Sequence, residues 1–136
     1  MNKIDLKSLL TLSGLLIDDN SADNRYNQII LEEMDIVDSI QVAESGFEAL
    51  KMLDDNDTPQ PELILLDINM PKMNGWEFLE AYKNLHTDEH KKQMVVVLTT
   101  SLNPEDRKKA SENLGICEFN IKPLTQEMLQ RLLKSL

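Results

Sequence analysis

Cysteine is almost missing from this chain of 136 residues. Cys117 stands alone, which excludes an internal disulfide framework and fits a reducing compartment. Long hydrophobic runs are missing as well. The apolar run Leu9–Ile17, preceded by Lys3 and Lys7, falls short of the ~20 residues that a bilayer span requires. Asp18 and Asp19 follow it without a small-residue cleavage site, and Asp5 interrupts the basic segment, so a secretory signal is not expected. The run reads as the first buried strand of a cytoplasmic protein with no membrane contact, behind a short extension over residues 1–12. Basic charge is scarce too: 14 Lys and Arg face 24 Asp and Glu, for a net charge of −10. Up to Asp67 there are 4 basic and 15 acidic residues, and the remainder is close to neutral. Such a surface repels phosphate backbones, so direct DNA binding is not expected. No internal repeat, low-complexity segment or interdomain linker divides the chain. Hydrophobic residues make up 41% and charged residues 28%, enough for one domain over residues 13–136 that needs no disulfide or metal staple.

Five short apolar runs alternate with amphipathic stretches. The predicted strands are Ser13–Asp18, Asp38–Ala43, Leu63–Asp67, Met94–Thr99 and Ile116–Ile121. Leu63–Leu66 and Val95–Leu98 are continuously apolar, as strands buried on both faces should be. The helices between them have legible starts. Ser45 with Glu48 spells a capping box, and Asn103-Pro104 combines a cap with proline at the first helical position. The last helix opens at Thr125 and stripes Met128, Leu129, Leu132, Leu133 and Leu136 along one side. The expected architecture is therefore an α/β fold, a doubly wound (βα)5 parallel sheet with helices on both faces.

In such sheets ligands bind beyond the carboxyl ends of the strands. Those ends carry Asp18-Asp19, Asp67, Thr99-Thr100-Ser101 and Lys122-Pro123. Carboxylates crowded at one edge repel one another, and a hard divalent cation relieves that repulsion. Oxygen ligands without thiolate or imidazole favour Mg²⁺, Mn²⁺ or Ca²⁺ over zinc. Lys122 and the Thr99 hydroxyl suit the oxygens of a phosphoryl group, and a carboxylate can itself act as the nucleophile, forming an acyl phosphate. Asp67, ending a central strand, is the candidate.

The run Leu16-Ile17-Asp18-Asp19, then Leu65-Leu66-Asp67-Ile68-Asn69-Met70-Pro71 with Asn74-Gly75, resembles the receiver domain of bacterial two-component response regulators. Val96-Val97-Leu98-Thr99-Thr100-Ser101 and Ile121-Lys122-Pro123 extend the resemblance over nearly the whole chain. It implies a flavodoxin-like sheet in strand order 2-1-3-4-5. Asp67 would be the phosphoacceptor. Mg²⁺ would be bound by Asp19, Asp67 and the Asn69 backbone carbonyl, with Asp18 assisting. Thr99 and Lys122 would engage the phosphoryl group, and Phe119 would be the aromatic switch coupled to Thr99. Lys122-Pro123 falls where the family usually has a cis peptide bond. Thr100 replaces the family's usual smaller residue, and Asn69 and Ser101 occupy positions that tune phosphoryl lifetime. The implied partners are a sensor histidine kinase or histidine phosphotransfer protein upstream and a protein target downstream.

Each of these residues also has a plain structural reading. Asp18-Asp19 could cap a helix, Thr99 could be an ordinary strand residue, and Lys122 a surface lysine. Their convergence at neighbouring strand ends favours the site. Trp76, Phe78 and Tyr82 read as packing residues, Arg107-Lys108-Lys109 as a solvated helix face, and His86 and His90 as surface residues. The leading expectation is a phosphorylation-dependent signalling switch rather than an enzyme, with a phosphorelay intermediate as the alternative. A haloacid-dehalogenase-like phosphatase would carry a second aspartate where Asn69 stands. A flavodoxin-like cofactor binder would need a neutral phosphate loop in place of Asp18-Asp19-Asn20.

Overall fold

Alternation of buried strand and amphipathic helix builds the chain. In the computed structural model the described residues are 12–35, 37–55, 57, 59–85, 93–100, 103–113, 115 and 117–134. The N-terminal extension up to residue 11, His86, His90, Ser101, Ile116 and Leu136 lie outside them. In chain order the elements are β1 (Leu12–Ile17), α1 (Ser21–Glu33), β2 (Val37–Ala43), α2 (Gly46–Leu53) and β3 (Leu63–Asp67). They continue with α3 (Gly75–Lys83), β4 (Met94–Thr99), α4 (Pro104–Glu112), β5 (Cys117–Ile121) and α5 (Gln126–Leu133). All strand pairs are parallel and the sheet order is β2-β1-β3-β4-β5.

The central strands need no polar face. Every residue of β3 is buried, as are Val95–Thr99 of β4. Successive side chains point to opposite faces of a strand, so these runs feed two separate cores. Leu15, Ile17, Ile64, Leu66, Val95 and Val97 pack with residues of α2 and α3 such as Leu53 and Phe78. Leu16, Leu63, Leu65, Val96 and Leu98 pack instead with Leu31 of α1 and with Leu129 and Leu132 of α5. Complete burial of one such side chain contributes about 1.5–3 kcal/mol, so both layers are firmly held. The helix α4 differs, for none of its residues is fully buried.

Most boundaries follow the sequence reading; β2 opens at Val37, one residue before the expected Asp38, and there are three further departures. Leu12, assigned above to the extension, already belongs to β1: it is 8% exposed and pairs with Val37. The strand then stops at Ile17, one residue before Asp18. At Ser45 only half of the expected box forms. Its hydroxyl accepts from the Glu48 amide at 3.1 Å, while the Glu48 carboxylate accepts from the Glu44 amide. The full reciprocal box caps α3, where Asn74 and Glu77 exchange hydrogen bonds of 2.9 and 3.0 Å.

Candidate functional site

The parallel sheet brings its carboxyl ends to one edge, and the ends of β1, β3 and β5 carry polar side chains on pinned turns. After β1, the Asp18 amide donates to Ala43 of β2. Asn20 then caps α1 through bonds from the Ala22 and Asp23 amides. The turn after β3 is fixed by Gly75, whose amide donates to the Ile68 carbonyl at 2.8 Å. A Cβ at Gly75 would stand 2.8 Å from Ile68 Cα and 2.9 Å from the Asp67 carbonyl oxygen. Only glycine permits that approach, which seats the start of α3 against Asp67. After β5, the Lys122 amide donates to the Thr99 carbonyl at 2.7 Å, and the Lys122–Pro123 peptide bond is cis.

Three carboxylates meet at this edge. Asp18, Asp19 and Asp67 each offer an oxygen, all within 4.8 Å of one another. Asp18 and Asp67 are buried and Asp19 is exposed. The Lys122 ammonium lies 3.1 Å from Asp18 Oδ2, 3.1 Å from Asp67 Oδ1 and 3.0 Å from Asp23 Oδ2. Thr99 is 1% exposed at the end of β4, beside the end of β3. Asn69 is exposed on the turn after Asp67, with its backbone N–H directed at the Asp67 carboxylate.

Burial pushes the Asp67 carboxyl above the usual carboxylate range and the Asp18 charge adds to the rise, against opposition from Lys122 and the Asn69 amide. Burial likewise raises Asp18, against its bond from the Asn20 amide and the Lys122 charge. Burial works against the Lys122 ammonium too. Its bond to Asp23 and the charges of Asp67 and Asp18 outweigh that effect, and its pKa lies above the ordinary lysine value. Acids and base rising together mark a site short of positive charge, because one ammonium cannot neutralise the carboxylates around it.

A hard divalent cation fits this donor set. The ligand atoms are all oxygens, two of them on buried carboxylates. The three carboxylates lie close enough together for one cation to draw an oxygen from each. The arrangement offers carboxylates, an ammonium and a hydroxyl to a cation and to an oxygen-rich anionic group.

Phe119 sits half-buried on β5, paired with Val97 of β4. Its ring lies 5.3 Å from that of Trp76 on α3, tilted by 34°. The Trp76 Nε1–H donates to Asp106 Oδ1 on α4 at 2.9 Å. Phe78 and Tyr82 are buried in the same layer and stack at 6.0 Å. Thr100 is exposed. The sequence reading missed Asp23. The available signal was an acid in the first turn of α1, and the helix dipole accounts for such a residue by itself.

A parallel sheet in the order β2-β1-β3-β4-β5 with a carboxylate cluster at its carboxyl edge defines a flavodoxin-like α/β domain with an acidic site. The family model of the response regulator receiver domain matches residues 15–134, and the chain belongs to that family. Among curated proteins it is similar to response regulator Rcp1 of Synechocystis, 38% identical over 96 residues, or 68% of this chain. The match covers 64% of Rcp1, so the chain spans under two thirds of that relative. Among solved structures, a two-component response regulator from Cytophaga hutchinsonii superposes with a TM-score of 0.81 at 34% identity, covering 92% of this chain and 96% of that one. The Mn²⁺-bound form of Rcp1 superposes with a TM-score of 0.68 at 31% identity, covering 91% and 90%.

Proposed function

We propose that the chain is a phosphorylation-dependent signalling switch in which Asp67 accepts a phosphoryl group from the phosphohistidine of a sensor histidine kinase or histidine phosphotransfer protein. An Asp67 oxygen attacks phosphorus, the P–N bond breaks, and the imidazole nitrogen keeps the electron pair. Asp18, Asp19, Asp67 and the Asn69 carbonyl would hold Mg²⁺, which would neutralise charge developing on the phosphoryl oxygens. The Mn²⁺-bound form of Rcp1 supports a divalent cation here.

The observation that carries this reading is the Lys122 ammonium lying 3.1 Å from both Asp18 and Asp67, beside Asp19, at the ends of separate strands. Conversion of Asp67 to an acyl phosphate adds negative charge next to that ammonium and the Thr99 hydroxyl. Thr99 turns toward the phosphoryl group, and the face around Phe119 and α4 shifts with it to meet a protein target. This is a two-state equilibrium biased by a local charge change. Receiver domains of this family are signalling switches rather than classical enzymes, and the chain acts only on its own phosphoryl group.

Incubation with Mg²⁺ and acetyl phosphate, followed by intact-mass measurement, tests the proposal. One phosphoryl adduct is expected for wild type and none for Asp67→Asn. Equal adducts on both proteins, or none on either, would refute it.

A further inference from the structure

Lysine has three N–H donors and no acceptor, and the Lys122 ammonium donates to Asp18 and Asp23 and forms an ion pair with Asp67, so it faces three carboxylates. Two of these, Asp18 and Asp67, belong to the cluster suited to a cation. The third, Asp23, stands outside that cluster on the first turn of α1. It is also the wetter partner: its side chain is 44% exposed, against 5% for Asp18 and 7% for Asp67. Lys122 therefore has one anchor inside the cation site and another at its margin.

We propose that Asp23 is a positioning residue that receives the Lys122 ammonium when a divalent cation enters the acidic cluster. The inference rests on the switch reading above. A cation among Asp18, Asp19 and Asp67 repels an ammonium bonded to two of the same carboxylates. Without an outer anchor the ammonium has to be displaced into water or to compete for those oxygens. With Asp23 it gives up its inner bonds and turns to its outer one, which strengthens because Asp18 and Asp67 no longer share the ammonium.

The local structure suits this exchange. Asp23 is fixed by the bond from its amide to the Asn20 cap at 3.1 Å. The Tyr26 hydroxyl donates to the Leu124 carbonyl at 3.0 Å, tying α1 to the loop that follows Lys122. Asp23 and Lys122 line an open hollow of about 250 Å³ with Tyr26, Asn27, Pro123 and Leu124, so the lysine has room on that side.

Mg²⁺ titration calorimetry on the full chain tests the proposal through binding alone. Asp23→Asn should weaken Mg²⁺ binding roughly two- to fivefold, up to the effect of one half-exposed ion pair. Asp23→Glu should restore it. In a Lys122→Ala background, Asp23→Asn should change affinity less than twofold, because no ammonium remains to be received. Equal weakening in both backgrounds would reduce Asp23 to a through-space charge and overturn the proposal. So would unchanged affinity of Asp23→Asn in the wild-type background. Absence of Mg²⁺ binding by wild type would instead strike the switch reading, and this proposal with it.

Discussion

Gly75 offers the sharpest test of how the fold holds Asp67. In Gly75→Ala the new methyl would lie 2.8 Å from Ile68 Cα and 2.9 Å from the Asp67 carbonyl oxygen. Carbon atoms pack best at about 3.5–4.0 Å, so the backbone has to open by about 0.7 Å or more. Both obstructing atoms are main chain, and no flexible side chain can swing aside. Overpacking of this kind costs about 1–3 kcal/mol. At about 3–5 °C per kcal/mol for a domain of this size, melting falls by roughly 3–15 °C. The displaced peptide is that of Asp67, the proposed phosphoacceptor, so Mg²⁺ affinity and the rate of acetyl phosphate labelling should fall as well. Gly14→Ala provides the control. Its Cβ would meet nothing closer than 3.8 Å, an ordinary contact, and it should alter stability by under about 1 kcal/mol. Thermal melts, calorimetry and intact-mass time courses on the two variants decide the matter. A Gly75→Ala protein that melts and labels like wild type would refute the account of this turn.

Burial pushes the Cys117 thiol from its ordinary value of 9.0 up to about 12. Native protein should thus carry roughly a thousandfold less thiolate at pH 8 than the unfolded chain, and iodoacetamide should label it far more slowly. Equal rates would contradict that. Because the folded state favours the neutral thiol, its contribution to stability is complete below pH 9 and is lost as pH rises through about 12. Trp76→Phe removes the indole donor to Asp106 and should cost about 1–2 kcal/mol. Amide exchange should quicken across Pro104–Glu112, and unchanged protection there would show that the bond does not tether α4. Lys122→Ala removes the ammonium from between Asp18 and Asp67. Mg²⁺ should bind more tightly by calorimetry, and weaker binding would mean that the lysine does not oppose the cation.

What the sequence made legible follows from what is local. The bounds of β3 and β4 agree with their apolar runs because strands buried on both faces leave no polar residue inside the run. The caps at Asn103 and Thr125 are contacts over three residues, and both occur. Strand order was carried by family resemblance, since periodicity does not encode which strand neighbours which. The polar links between distant elements were silent. Asp23 meets Lys122 across 99 residues, and Trp76 meets Asp106 across 30. Each partner has an adequate local reading as a helix-end acid or a packing aromatic. Start positions are hardest to read where a strand lies at the margin. Leu12 belongs to β1 because Val37 of the edge strand reaches it, a pairing that Leu12 itself does not announce.

The two cores on opposite faces of the sheet give the domain a division of labour. Asp23 and the Tyr26–Leu124 tie belong to the side of α1 and α5, while Trp76 and Phe119 belong to the side of α2, α3 and α4. The layers are separated by strands whose side chains serve one or the other. The carboxyl edge is where residues anchored in both come within bonding distance. Substitutions on the first side should therefore retune how the site is charged and leave its readout intact. Substitutions on the second should retune the readout at constant chemistry, so that input and output can diverge independently in one small fold.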